Sequence, residues 1–288
     1  MAFSALVLLM PILVIVACTS TVGDSSGVDS TNPDVTGYQV VWNSAPAPMQ
    51  AGAESQFTLQ VQDQEGRAID DLQQNHQRMV HTLFVSADLA SLTHTHQEDF
   101  TAITADNLRT STFSFPLTLP LAGRYFTMFD YAHQNAWLQS TDDIVVEGAL
   151  AQAATPDLTA TTEAIDAGVH ASLIWTSAPV ATFEADWTIR LTDADGNDVD
   201  DLVPFLGADA HCILVNAETT WGSHTHAWFP DMARMTPSMT MPHLYPGPDI
   251  PFAYTFPAGG TYKIWVQFQR ESTSDYVYKM PFVFDVAG

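Results

Sequence analysis

The chain repeats itself, and this constrains its fold more than any other feature. "VWNSAP" at 41–46 returns as "IWTSAP" at 174–179, and "FTLQVQDQEGRAIDDL" at 57–72 returns as "WTIRLTDADGNDVDDL" at 187–202. The longer pair keeps Thr58/Thr188, Asp63/Asp193, Gly66/Gly196, Asp70/Asp200, Asp71/Asp201 and Leu72/Leu202. Further on, "LPLAGRY" at 119–125 matches "FPAGGTY" at 256–262. The offset is 130 residues through the middle of the repeat and 137 at its end, the extra length lying between Phe229 and Ile250. A unit present twice must fold within about 110 residues, an ordinary domain size.

Each copy is a series of short alternating segments rich in Val, Ile, Phe, Tyr and Thr, the period-two pattern of strands with one buried face. "DQEG" and "DADG" sit between apolar runs and suit tight hairpin connections. "LAGRYFTMFDY" and "AGGTYKIWVQF" read as a glycine turn entering an aromatic strand. No stretch of helical periodicity exceeds about two turns. Seven or so strands per copy predicts an all-β chain: two tandem antiparallel β-sandwich domains of immunoglobulin/cupredoxin-like type. The expected layout is repeat 1 over 37–148, a small and polar linker over 149–167, and repeat 2 over 168–288 with a Met-rich insertion. A composition that is 46% apolar and 11% aromatic supplies two cores.

The histidines follow the repeat. "THTHQ" at 93–97 falls on "SHTHA" at 223–227, and "VHTLFVSAD" at 80–88 falls on "AHCILVNAE" at 210–218. His81, His94 and His96 therefore match His211, His224 and His226, so that six of the ten histidines are three positions used twice. In an extended segment, residues i and i+2 point to one side, which puts the two imidazoles of each H-x-H together. His81 shares its face with Leu83 and Val85, and His211 shares its face with Ile213 and Val215. Such histidines serve either as ligands or as polar pins bonded to loop carbonyls. Retention of the triplet while neighbouring positions diverge favours ligands, with one three-His metal site per repeat. Neutral imidazole suits copper, zinc, nickel and iron.

The insertion "FPDMARMTPSMTMPH" at 229–243 carries Met232, Met235, Met239, Met241 and His243. M-x-x-M and M-x-M spacings suit soft thioether coordination, which selects Cu(I), so these residues are candidate additional ligands. A hydrophobic flap packed on the sandwich explains the same residues equally well. Cys212 adjoins His211 and so points to the opposite face, as a small core residue. In the first copy Met79 and His133 are weaker candidates, and Asp88 and Glu98 are candidate oxygen donors or surface carboxylates.

Charge and the N-terminus bound the setting. With 33 acidic against 9 basic residues and a net charge of -24, the chain has no basic footprint for nucleic acid or for anionic lipid. Residues 2–17, "AFSALVLLMPILVIVA", have the length of a signal-peptide core rather than of a membrane span. Ile15-Val16-Ala17-Cys18 resembles the bacterial lipobox, which makes Cys18 the lipidation residue, although no Lys or Arg precedes Arg67. Residues 19–36 then read as a flexible Ser/Thr/Asp/Gly tether. With Cys18 acylated, Cys212 is the remaining thiol and no intramolecular disulfide is available. The expected location is the cell envelope, lipid-anchored to the outer membrane or cell surface.

"TLFVSADLASLTHTHQEDF" followed by "FSFPLTLPLAGRYFTMFDY", and the second copy through "FPAGGTYKIWVQFQ", resemble the YtkA-like, heavy-metal-associated extracytoplasmic domains. Gln97 and Ala227 stand where proline usually follows the H-x-H in that family. The resemblance covers about 100 residues of each copy. It implies a small β-sandwich tied to copper or other metal handling in the envelope, and it points to the same two histidine triplets. The expected function is extracytoplasmic metal binding, with copper as the ion and zinc as second candidate, for storage, delivery or detoxification. The alternative is a non-catalytic structural module that recognises another envelope protein and uses its histidines structurally. No nucleophile–base pair is legible, so an enzyme is not expected.

Overall fold

The computed structural model describes residues 37–230, 235–239 and 241–288. The lipobox Cys18, the tether and Met232 lie outside the described residues. The first unit contains β1 (Tyr38–Ala45), β2 (Glu54–Asp63), β3 (Val80–Ser86), β4 (Leu92–Thr95), the short helix α1 (Ala105–Thr110), β5 (Thr112–Thr118), β6 (Gly123–His133) and β7 (Ala136–Val146). The second contains β8 (Glu163–Asp166), β9 (Val169–Trp175), β10 (Glu184–Thr192), β11 (Leu202–Val203), β12 (His211–Asn216), β13 (Gly222–His226), β14 (Asp249–Thr255), β15 (Gly260–Arg270) and β16 (Tyr278–Val286). Each unit is an antiparallel β-sandwich. The first stacks sheet β1-β2-β5 on β4-β3-β6-β7, and the second stacks β14-β10-β9-β8 on β13-β12-β15, with β16 and β11 also paired to β15. Because β8 pairs with β9, the second sandwich begins inside the stretch expected to be linker.

The repeated sequence signals act locally as their chemistry requires. Phe57, Leu59 and Val61 of β2, and Trp187, Ile189 and Leu191 of β10, point inward on alternate positions and are buried. The shared Asp63 accepts the Glu65 and Arg67 amides at 3.0 and 2.9 Å, and Asp193 accepts those of Asp195 and Asn197 at 2.9 and 2.8 Å. Gly66 and Gly196 turn the chain at φ of 79° and 84°, conformations that side chains with a Cβ disfavour. The kept Asp and Gly are therefore turn chemistry.

The inner sheets depart from simple alternation. Every residue of β3 is buried, as is nearly every residue of β12. On one face, Val80 and Phe84 enter the first sandwich core, and Cys212 and Leu214 enter the second. On the other face, Leu83, Val85, Leu89, Leu92, Phe126 and Met128 of the first unit pack against Ile213, Val215 and Trp265 of the second. The two sandwiches are thus stacked as four layers, with the inner sheets face to face. Gly222 marks a close approach: a Cβ there would meet Met128 Sδ at 2.5 Å and Phe126 Cε1 at 3.0 Å. Its counterpart in the first repeat is Leu92, so the joint is complementary rather than identical across its two halves.

Two cations latch this joint in matched fashion. Lys263 donates to Leu89 O at 2.7 Å, and Arg124 donates to Thr219 O at 3.1 Å. Leu89 and Thr219 are equivalent turn residues, both at positive φ (57° and 49°). A third cation, Lys279, donates to Leu92 O at 2.7 Å.

Candidate metal centre

The first histidine of each triplet is placed by a two-residue turn. Asn75 and Arg78 exchange backbone bonds of 2.6 and 3.0 Å around His76 and Gln77 at φ 45° and 66°. Phe205 and Ala208 do the same at 2.8 and 3.2 Å around Leu206 and Gly207 at φ 51° and 81°. Each turn delivers a carbonyl to the following strand: His81 Nε2 lies 2.8 Å from Asn75 O, and His211 Nε2 lies 2.8 Å from Phe205 O. A carbonyl only accepts, so Nε2 carries the hydrogen in both rings and Nδ1 presents a lone pair.

The second H-x-H lies in β13 and the first runs from β4 to His96 just past its end; His94 pairs with Leu83, His224 with Ile213 and His226 with His211. The first histidine of each H-x-H reaches across the joint. His94 Nδ1 is 2.9 Å from Gln267 Oε1 on β15, and His224 Nδ1 is 3.0 Å from Asp130 Oδ2 on β6. Gln267 and Asp130 hold matched places, opposite His211 and His81 in their sheets. His96 Nδ1 donates to Asp99 Oδ2 at 2.8 Å, and Arg78 donates to the same carboxylate at 3.2 Å. Burial alone would raise Asp99, but these two partners hold it below the usual carboxylate value.

With the outer nitrogens of His81, His94, His96, His211 and His224 engaged by acceptors, their inner ones converge. His81 Nδ1, His94 Nε2 and His96 Nε2 are separated by 3.1, 2.9 and 3.1 Å, and His211 Nδ1 is 2.8 Å from His224 Nε2. The triplets expected to form one separate site per repeat are brought together at the joint. His224 belongs to both groups of converging ligand atoms: His81, His94 and His224 lie within 4.8 Å of one another, and so do His211, His224 and His226. The reason is the burial of both faces of β3 and β12, which puts the histidine face of each unit against the other. The two triplets, one per repeat, therefore adjoin in one shared cage.

Burial, then the neighbouring imidazoles, push His81 and His211 well below the ordinary histidine value, and burial does the same to His224 and His226. Neutral imidazoles aimed at one another at about 3 Å place lone pair against lone pair, which is repulsive until a cation sits between them. Three nitrogens at these separations accept an ion at ~2.0–2.1 Å that lies roughly 1 Å off their plane, leaving a further coordination position open. His94 and His96 also line a cavity of about 750 Å³ with Arg78, Asp99, Gln267 and Lys279, which opens this half of the cage to solvent.

The other half is covered. The insertion of the second repeat crosses to the first, where the His76 amide donates to Pro237 O at 3.2 Å. Met235 and Met241 pack with Ala208, Trp137 and Phe229 in a small apolar cluster, and Met239 is exposed. His243 bonds Asp209, away from either group of converging nitrogens. Met235 and Met241 thus serve as packing, and Pro237 ties their segment to the first repeat. Cys212 lies in the second core, where burial pushes its thiol up, as its strand position required. His133 bonds Asp71 at 2.6 Å, and Met79 belongs to the first core. Asp88 caps its own turn through Ser86 and Ala90, and Glu98 accepts the Met79 amide at 2.8 Å.

Four residues of the site escaped the sequence reading. Asp130, Gln267 and Asp99 orient ligand rings, and the His76 ring centroid lies 3.9 Å from that of His226 at a 41° tilt, its value lowered by burial to about 4. Asp99 had a local signal, an acid three residues after His96. Asp130 and Gln267 had none, because their partners lie on the other repeat.

Solved structures with detectable similarity include the FdeC adhesin of Escherichia coli, 17% identical over 88% of this chain and 65% of that one, with a TM-score of 0.26. Dimeric latent PorU from Porphyromonas gingivalis is 12% identical over 90% of this chain and 21% of that one, TM-score 0.27. Trypsin-activated α2-macroglobulin from Escherichia coli is 9% identical over 90% and 16%, TM-score 0.26. The chain spans less than two thirds of each of these proteins, and no functional argument follows from similarity at this level. No curated protein matches the chain. One family profile matches it twice, over residues 33–148 and 163–288, and the chain belongs to that family, the Domain of unknown function (DUF8832).

Proposed function

We propose that this protein is an extracytoplasmic, lipid-anchored metal binder whose cargo is copper, with zinc as the competing ion. One observation carries the reading: His81, His94 and His96 direct lone-pair nitrogens at one another across 2.9–3.1 Å, each ring held in that tautomer by an acceptor on its far side. Metal-ligating histidines characteristically donate their second nitrogen to a carbonyl or carboxylate in this way. An all-imidazole set suits copper and zinc, and copper stands highest in the affinity order for such donors. The envelope location rests on the Cys18 lipobox, and metal handling on the likeness to YtkA-like domains. The open position beside the cavity fits storage or delivery, in which the ion must enter and leave.

A second reading is favoured by the bonds from His94 to Gln267 and from His224 to Asp130, which join the two sandwiches without any ion. In it the histidines are pins of a structural or protein-interaction module. Metal analysis separates the two. Purified protein exposed to copper or zinc and then desalted should retain stoichiometric ion, and His94→Ala and His224→Ala should retain less of it while staying folded. Folded wild-type protein that retains neither metal would sink the metal-binding reading.

A further inference from the structure

The cage holds six imidazoles, and the question is whether they serve one ion or two. We propose, resting on the metal-binding reading above, that they hold two ions as a coupled pair, one per triplet, bridged by a small anion such as hydroxide drawn from water.

The arrangement of the rings supports two centres. Within the first triplet the ring centroids are 4.6, 4.6 and 5.4 Å apart, and within the second 4.6, 4.8 and 5.0 Å. Across the joint, the corresponding separations run from 5.1 Å for His81–His224 and His94–His224 to 6.0 Å for His94–His211 and 6.2 Å for His81–His211. His81, His94 and His96 converge at 2.9–3.1 Å as one set, and His211, His224 and His226 lie within 4.8 Å of one another as a second, with His224 also within that distance of His81 and His94. A single octahedral ion would need all six nitrogens at ~2.1 Å and hence one compact set.

Each half also has its own orienting acceptor, and that acceptor comes from the other sandwich. His94 is held by Gln267 of the second unit and His224 by Asp130 of the first. Neither triplet is thus fully oriented until the units dock, and docking aligns both at once. Repulsion between two such ions scales with the product of their charges, so a divalent pair repels four times as strongly as a monovalent pair at equal distance. A bridging hydroxide offsets that repulsion and couples the ions magnetically. Asp99 and Asp130, bonded to His96 and His224, supply negative charge from either side. The cavity beside His94 and His96 is the path by which ions and bridging anion enter.

The test uses the full chain loaded with excess copper(II), desalted, and measured for copper per chain and for integrated spin intensity by electron paramagnetic resonance. The expected result is two coppers per chain with spin intensity far below two, because bridged copper(II) ions pair their spins. His96→Ala and His226→Ala, confirmed folded by circular dichroism, should each retain one copper with a full one-spin signal. One copper per wild-type chain at saturation, as a six-histidine mononuclear site gives, would overturn the pair. Two coppers with two full spins would overturn the coupling and bridge. No bound copper or zinc would instead refute the metal-binding reading on which the proposal stands. The wild-type measurements decide all of these outcomes even if a variant fails to fold.

Discussion

Gly222→Ala tests whether docking of the two sandwiches builds the cage, without touching any histidine. The added Cβ would lie 2.5 Å from Met128 Sδ, with Leu214 O and Phe126 Cε1 at 3.0 Å. A carbon–sulfur contact relaxes at ~3.8 Å, so more than 1 Å must be found by moving Met128 or by opening the joint. Met128 is fully buried among Leu83, Val85, Ile213 and Trp265, which leaves it little room. Overpacking of this kind costs about 1–3 kcal/mol. Opening by 1 Å would stretch the His94–Gln267 and His224–Asp130 bonds, now 2.9 and 3.0 Å, beyond hydrogen-bonding range. Loss of such orienting partners weakens metal sites ~10–100-fold. Urea denaturation gives the stability change, and competition against a chromophoric chelator gives the affinity. Adding Met128→Ala to Gly222→Ala makes room for the Cβ and should show a favourable coupling of about 1–2 kcal/mol. A Gly222→Ala protein with wild-type stability and wild-type metal affinity would refute the reasoning that docking sets the site.

Three further outcomes are expected. In chelator, the apoprotein should lose stability as pH falls. His76 titrates near 6.5 when unfolded but near 4 when folded, so the unfolded chain binds the extra proton between those values. That removes about 2 kcal/mol by pH 5 relative to pH above 7, and the slope of stability against pH should be visibly shallower in His76→Leu, the residue its repeat counterpart Leu206 already carries. Arg124→Met and Lys263→Met each remove a latch to a backbone carbonyl and should cost about 1–2 kcal/mol, read as an earlier first transition in urea with the second sandwich core unaffected. Cys212 is fully buried, so a thiol reagent should label it only as fast as the protein opens; prompt labelling of native protein would show that the strand faces the other way.

Much of this molecule was legible in one chain because the relevant rules are local. Period-two alternation in "FTLQVQ" and "WTIRL" marks strands with one wet face, and the Asp-Gly turns mark hairpins, since side-chain direction and turn φ depend only on near neighbours. The boundary of the second unit was misplaced because β8 is a four-residue edge strand with only Ala164 buried, too short for periodicity to register. The methionines were ambiguous for a similar reason: a thioether that packs and one that ligates have the same spacing in sequence, and only contact with Trp137 and Phe229 separates them. "VHTLFVS" and "HCILVN" are apolar on both faces, unlike the outer strands, which is what a sheet buried on both sides requires.

The sequence by itself determined that there are two sandwiches and that three histidines recur on one face of each, because a strand's faces follow from its alternation. The tertiary structure alone decided that those faces meet. Whether two sheets dock depends on the fit of Gly222 against Met128 and of Ile213 among Leu83 and Val85, contacts between residues far apart in the chain with no periodic signature. That fit is what makes two sets of three imidazoles into one cage, oriented from across the joint by Asp130 and Gln267.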